Sequence, residues 1–133
     1  MEAKIKTLQI IHFALLIGAT IAYFIMGDLL NMRTPKLEGE NLYFIFIPAI
    51  TVLLSNFLFK KNISKINKKD QLEIIIANYQ TASLIRWAIL EAGAFIILIL
   101  KPELIVFGLL LLLYLLLVRP TKEKIERELN ISL

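Results

Sequence analysis

Polar side chains inside the apolar segments are the residues of this sequence that could do chemistry. Glu91 lies near the middle of an apolar stretch over residues 84–100. A charged carboxylate at the centre of a bilayer costs about 2.5–3.5 kcal/mol. Desolvation therefore favours the neutral acid unless the carboxylate is paired with another group or faces a water-filled cavity. A carboxyl that can gain and lose a proton at this depth could couple proton movement to another event. Glu91 is therefore the first candidate for a proton or ligand site.

Four more polar residues lie at a common depth, one in each apolar segment. Counted inward from the ends richest in lysine and arginine, His12, Asn56, Arg86 and Tyr114 occupy the same third of the predicted membrane. They predict a polar layer, which we interpret functionally as an anion-attracting vestibule with Glu91 at its floor. The structural interpretation is that Arg86 extends to the headgroups, Tyr114 belongs to an aromatic belt, and Glu91 hydrogen-bonds a neighbour.

The composition excludes several kinds of site. The chain has no cysteine and one histidine, so thiol catalysis, disulfides and a Cys/His zinc site within one chain are excluded. A Ser-His-Asp arrangement would need His12, which has no acidic residue at a comparable depth in the same helix. No glycine-rich phosphate loop is present. We therefore expect no catalytic residues, no metal and no cofactor.

The elements that position these residues are predicted to be membrane-spanning helices. Of the 133 residues, 58% are hydrophobic, which is more apolar surface than a soluble domain of this size could bury. The apolar segments predict an all-α membrane protein, a single domain over residues 1–133, with four transmembrane helices in two antiparallel hairpins. The expected helices cover residues 5–29, 42–60, 70–100 and 102–119, followed by a short amphipathic tail at 121–130.

Three local signals refine the predicted helix ends. Asp70 with Glu73 three residues later is a capping-box pattern, which predicts that the third helix starts at Asp70. Pro102 suits the first turn of the fourth helix. Pro48 lies inside the second helix and should bend it, because proline lacks the N–H group and its ring clashes with the preceding turn.

The basic residues predict how the chain is oriented. The loop between the second and third helices contains five lysines, and cytoplasmic loops are the ones that carry such an excess. These lysines are Lys60, Lys61, Lys65, Lys68 and Lys69. We expect a multi-pass protein of the bacterial inner (plasma) membrane with cytoplasmic N and C termini. We expect the lysine loop to contact anionic lipid headgroups and not nucleic acid.

Small residues predict how the helices pack. Shifting the sequence by 74 residues aligns the first and third helices, so the two hairpins could be a parallel internal repeat, with chance similarity as the alternative. Residues four apart line up as small ridges that let backbones approach closely in lipid. The ridges are Ala14, Gly18 and Ala22 in the first helix, and Ala88 and Ala92 in the third. They predict contact between these two helices, or contact of each with its own hairpin partner.

Two resemblances bear on function. The segment Ala88-Ile89-Leu90-Glu91-Ala92 resembles the carboxylate helix of rotary-ATPase proteolipid subunits, whose acid carries a proton around a ring. Those subunits place the acid on the second helix of a hairpin with a glycine-rich first helix, an arrangement that this chain lacks. As a whole, the chain resembles small, uncharacterised four-helix proteins of the bacterial inner membrane, which implies a class and no activity.

Three functions follow as hypotheses. The first is an accessory or scaffolding component of a membrane complex, as a homo-oligomer or as a subunit among other proteins, without enzymatic activity. The alternative is a small oligomeric proton-coupled transporter or channel that uses Glu91, and the second alternative is a lipid- or quinone-handling membrane enzyme that uses the polar layer. A lipid-facing or tightly packed Glu91 favours the first, and a water-accessible Glu91 favours the second.

Overall fold

The computed structural model describes residues 2–31 and 37–133, and within these ranges the chain is helical without β-strands. Two short 3-10 turns, Leu29–Asn31 and Pro102–Leu104, accompany the α-helices of the described part. These helices are α1 (Glu2–Met26), α2 (Asn41–Phe44), α3 (Phe46–Ser64), α4 (Leu72–Leu100), α5 (Ile105–Leu117) and α6 (Lys122–Leu129). Arg33 and Lys36, the basic residues of the first loop, lie outside the described residues.

Three helical segments of the described chain are long and apolar enough to cross a membrane: α1, α2 with α3, and α4. A fourth is counted if Pro102–Leu117 and α6 form one span, although these two helices meet at 85°. The prediction of an all-helical chain with helices able to span a membrane is therefore confirmed, with three to four candidate spans.

Helix α4 is the centre of the bundle and packs against α1, α3 and α5. Its buried residues recur in alternating steps of three and four, which keeps them on one face of the helix. They include Ile76, Tyr79, Ser83, Arg86, Leu90, Gly93 and Ile97. Two polar residues of the predicted membrane interior, Ser83 and Arg86, thus lie on the same face as the apolar core.

Close helix contacts in the described chain are made at Gly93 and Gly108. A Cβ atom added to Gly93 would lie 2.6 Å from the Thr51 side chain, which brings α3 against α4. A Cβ atom at Gly108 would collide with the Tyr23 ring and hydroxyl, which bring α1 against α5. The Tyr23 hydroxyl also donates a hydrogen bond to the Ala94 carbonyl of α4. Tyr23 therefore joins three helices at one point, and small residues allow this as in other membrane bundles.

The predicted small ridges do not form the contact between α1 and α4. Gly18 is exposed, and a Cβ atom built there meets no other atom within 4 Å. Of the other ridge residues, Ala14, Ala88 and Ala92 are exposed, and Ala22 is partly buried. The two helices touch instead through larger side chains, including His12 against Trp87. Large side chains bury more apolar area, so they set which face of α1 turns inward.

The second predicted helix is interrupted in its first part, close to a proline. The helix is interrupted at Ile45, between α2 and α3, three residues before Pro48. Pro48 cannot donate to the Phe44 carbonyl four residues earlier, and its ring crowds that carbonyl. The interruption therefore follows from the proline.

The capping-box prediction at the start of α4 is wrong. The N-cap residue is Gln71, its side chain makes no capping hydrogen bond, and the helix begins at Leu72. Glu73 instead approaches Lys4 of α1, with 3.6 Å between Oε1 and Nζ. Asp70 therefore belongs to the preceding loop.

Helix α6 turns across one end of the bundle at 85° to α5. Ile125 and Leu129 are buried beneath it, and the Tyr79 hydroxyl of α4 donates to Glu128 Oε2 at 2.6 Å. At its start, the Thr121 hydroxyl accepts a hydrogen bond from the Lys124 amide at 3.2 Å, as an N-cap residue should. The amphipathic tail thus covers the end of the bundle that contains His12 and Arg86.

Candidate functional site

His12 is held in the interior by α1, α4 and α5. Its Nε2 atom lies 2.7 Å from the Leu115 carbonyl oxygen, and because a carbonyl can only accept, Nε2 donates. The ring also stands edge-on to Trp87, with 4.8 Å between the ring centroids. One imidazole nitrogen is therefore committed to a backbone carbonyl, and the ring is fixed by packing.

Asn56 and Tyr114 form a reciprocal polar pair between α3 and α5. The Asn56 Nδ2 atom donates to the Tyr114 hydroxyl at 2.7 Å, and the hydroxyl donates to Asn56 Oδ1 at 3.0 Å. Each partner thereby satisfies the other in a setting where an unmade hydrogen bond is expensive. This pair connects two helices and leaves the hydroxyl with little capacity to act as a donor elsewhere.

Arg86 lies inside the helix bundle. Its side chain is only 7% exposed, and the guanidinium carbon lies 3.8 Å from the centroid of the Phe59 ring, which is a cation–π contact. Within residues 2–31 and 37–133, no carboxylate forms an ion pair with Arg86. The guanidinium therefore lies on an aromatic ring inside the bundle, and its extension to the headgroups stays a prediction.

Two neighbours of Arg86 share its lack of hydrogen-bond acceptors. In the described part of the chain, the buried side-chain nitrogen and oxygen atoms without a protein partner are Ser83 Oγ, Arg86 Nε and Trp87 Nε1. They lie within one turn of α4, at positions i, i+3 and i+4, and each can donate a hydrogen bond. Ser83 was not among the predicted site residues, and Trp87 had no predicted polar role. Ser83 precedes Arg86 by three residues and Trp87 by four, and this helical spacing could have identified both.

The four residues of the predicted polar layer come together in part. His12 contacts Leu115 and Trp87, which are the chain neighbours of Tyr114 and Arg86. Phe59, whose ring contacts the Arg86 guanidinium, lies three residues after Asn56 on α3. The layer therefore exists as adjacent contacts at one level of the bundle and not as one hydrogen-bonded network.

Glu91 lies apart from this layer. It follows Arg86 by five residues, which turns it about 140° around the helix and moves it about 7.5 Å along the axis. It is partly exposed, between buried Leu90 and exposed Ala92, and it makes no ion pair in the described residues. The two candidate groups are thus separate features of α4, one internal and one at its outer edge.

The chemistry available to the layer is hydrogen-bond donation and positive charge. In residues 2–31 and 37–133, no group of three or more His, Cys, Asp or Glu side chains could hold a metal ion. The donors of Ser83, Arg86 and Trp87 suit an oxygen acceptor, whereas His12 is occupied by a carbonyl. Comparison of the chain with known protein families, with characterised proteins and with solved structures finds no match.

Proposed function

We propose that this protein is an accessory or scaffolding component of a membrane complex, in the bacterial inner membrane. The observation that carries the proposal is an exposed surface on α1 and α4 that combines small residues with Glu91. Ala88 and Ala92 flank Glu91 on α4 and are exposed. Gly18 of α1 lies at a similar level along the bundle. On α1 it lies between His12, which contacts Trp87, and Tyr23, which donates to the Ala94 carbonyl.

Such a surface suits a helix of another protein or of a second copy. Small residues let a neighbouring backbone approach closely in lipid, where apolar side chains alone give little specificity. A carboxyl that is exposed to lipid is costly until a donor at the same depth satisfies it. We therefore propose that the partner helix supplies a hydrogen-bond donor to Glu91 and packs on Gly18.

We further propose four spans with the N and C termini in the cytoplasm. Three contacts connect the helices at one end of the bundle, where the basic residues of the tail also lie. They are Lys4 with Glu73, the Gln9 side chain with the Pro120 carbonyl, and Tyr79 with Glu128. At the other end, Lys101 contacts Glu40 and Glu103. Lysine and arginine are concentrated at the first end, in residues 60–69 and in the tail, so the positive-inside rule favours the cytoplasm for that end. In this arrangement α5 and the turn before it cross the bilayer, covering roughly 24 Å, while α6 lies at the interface.

The test measures assembly and folding separately. We expect the wild-type chain, extracted in mild detergent, to migrate on a native gel as an assembly, and Gly18→Leu and Glu91→Leu to convert most of it to free chain. Glu91→Gln keeps most hydrogen bonds and should assemble normally. Leu113→Ala, at a lipid-exposed position of α5, is the control and should assemble as wild type. A wild-type protein that is a lone chain in native membranes, by cross-linking as well, would refute the proposal.

A small proton-coupled transporter is the second candidate, and the unpaired state of Glu91 within the described residues favours it. Glu91→Gln distinguishes the two functions, because the amide cannot ionise. A scaffold should keep both its thermal stability in detergent and the growth phenotype of its strain. A transporter should keep its fold and lose its flux, and that result would select the second candidate.

A further inference from the structure

A groove with a volume of about 640 Å³ lies between α1 and the end of α5. Its floor is apolar and is formed by Ile10, Phe13 and Leu16 of α1 with Leu116 of α5. Its rim is basic and is formed by Lys6 and Arg119. The groove thus changes from positive to apolar along the direction in which α1 enters the predicted membrane.

The rim cations are available to a ligand. Lys6 and Arg119 are exposed, and neither forms an ion pair within residues 2–31 and 37–133. Behind them, Lys124 Nζ donates to the carbonyls of Leu117 at 2.6 Å and Arg119 at 3.0 Å. Burial lowers the pKa of Lys124, and the nearby Arg119 charge lowers it further. The Glu128 carboxylate acts in the opposite direction on the pKa of Lys124. Because Lys6 and Arg119 have no carboxylate partner among the described residues, the rim keeps two exposed positive charges.

We propose that this groove binds one anionic phospholipid of the membrane, with its phosphate between Lys6 and Arg119 and one acyl chain along the floor. From Ile10 to Leu16 the floor extends about 9 Å, enough to contact the upper half of an acyl chain. Two basic side chains at the level of the headgroups attract an anionic lipid with a free energy of about 1 kcal/mol each, which corresponds to about fivefold in affinity. The site is independent of the α1 and α4 surface that carries the proposed function.

Titration of the purified full chain with lipid, followed by native mass spectrometry, tests the proposal. Phosphatidylglycerol should give one saturable adduct, and phosphatidylcholine with the same acyl chains should bind at least about fivefold more weakly. The double variant Lys6→Gln/Arg119→Gln should weaken the phosphatidylglycerol adduct about 25-fold, from two charges. The control, Lys4→Gln/Arg127→Gln, removes the same charge at sites away from the groove and should bind within twofold of wild type. Glycerol 3-phosphate, which lacks acyl chains, should fail to compete at the concentration of the lipid.

Four results would overturn the proposal. Equal loss of binding in the test and control variants would mean diffuse attraction to a basic surface. Equal binding of the two lipids would remove the role of the phosphate charge, and effective competition by glycerol 3-phosphate would identify a free phosphate site. If the double variant unfolds, a photoactivatable phosphatidylglycerol on the wild-type chain decides: it should label the peptide that contains Phe13 and Leu16, and labelling elsewhere refutes the groove.

Discussion

Arg86 and Phe59 show how one residue can keep its charge inside the bundle. A guanidinium is more weakly hydrated than an ammonium and stacks on aromatic faces, so it tolerates burial better than lysine. The cation–π contact offsets part of the desolvation cost, by about 2 kcal/mol when water is excluded. Desolvation of a charge still costs several kcal/mol, and no carboxylate of the described residues balances it. The buried Arg86 charge therefore lowers the free energy of unfolding.

Replacing Arg86 by methionine should stabilise the isolated chain. Arg86→Met keeps much of the volume and removes the buried charge, so we expect a gain of about 1 kcal/mol or more. For a chain of this length, the thermal midpoint in detergent should rise by about 4 °C. Arg119→Met, at an exposed position, is the control and should change the midpoint by less than about 2 °C. A clear fall of the thermal midpoint for Arg86→Met would show that the guanidinium has hydrogen-bond partners in solution. Arg86 would then be a group that binds those partners.

At the scale of the helices, periodicity predicted the elements better than it predicted their contacts. The apolar lengths and the break near Pro48 could be derived from sequence, because they depend on local composition and backbone chemistry. The inward face of each helix could not be derived from sequence, because apolar residues surround each membrane helix. By sequence alone, Gly18 looks as suitable for a close helix contact as Gly93. Which glycine is buried depends on the side chain opposite, here Thr51, and that is a long-range property.

Alanine substitutions at three glycines should separate buried from exposed positions. Gly18→Ala meets open space and should stabilise the helix by up to about 1 kcal/mol. Gly93→Ala and Gly108→Ala should each destabilise the fold by about 1–3 kcal/mol, because the added carbon collides with Thr51 and Tyr23. Thermal midpoints in detergent give the order, and Gly93→Ala at or above wild type would contradict the packing described for α3 and α4.

The exposure of the α5 leucines decides which of them can serve as a lipid-facing control. Leu111 is 2% exposed and belongs to the core, whereas Leu113 is 51% exposed. Gly18→Leu should therefore leave folding unchanged and act on assembly alone. This difference distinguishes an intramolecular contact from one with a partner helix.

At the scale of the whole molecule, charge and hydropathy predicted the class of protein while the candidate site depended on the fold. His12, Asn56, Arg86 and Tyr114 were predicted to share a level from their depth alone, since a bilayer constrains residues along one axis. Their pairing needed the rotation of each helix, which the sequence does not encode locally. The unpartnered donors of Ser83 and Trp87 became visible only when the burial of both was known.

The orientation of the chain is the last prediction, and reporter fusions test it. Fusions at Lys65 and after Leu133 should report the cytoplasm, and a fusion at Lys36 should report the outside. The reason is that lysine-rich loops resist translocation whereas acidic residues count for little. The contacts of α6 with α4 and of Lys4 with Glu73 place Lys4 and α6 at the same end of the bundle.

A variant with neutralised lysines makes this test specific. Replacing Lys60, Lys61 and Lys65 by glutamine weakens the topology signal without touching the apolar spans, so part of the population should invert or fail to insert. An outside signal at Lys65 in the wild-type chain would refute the four-span arrangement. Opposite signals at Lys65 and after Leu133 would do so as well. They would mean that α5 does not cross the bilayer, because two spans are needed between these sites to return the chain to the same side.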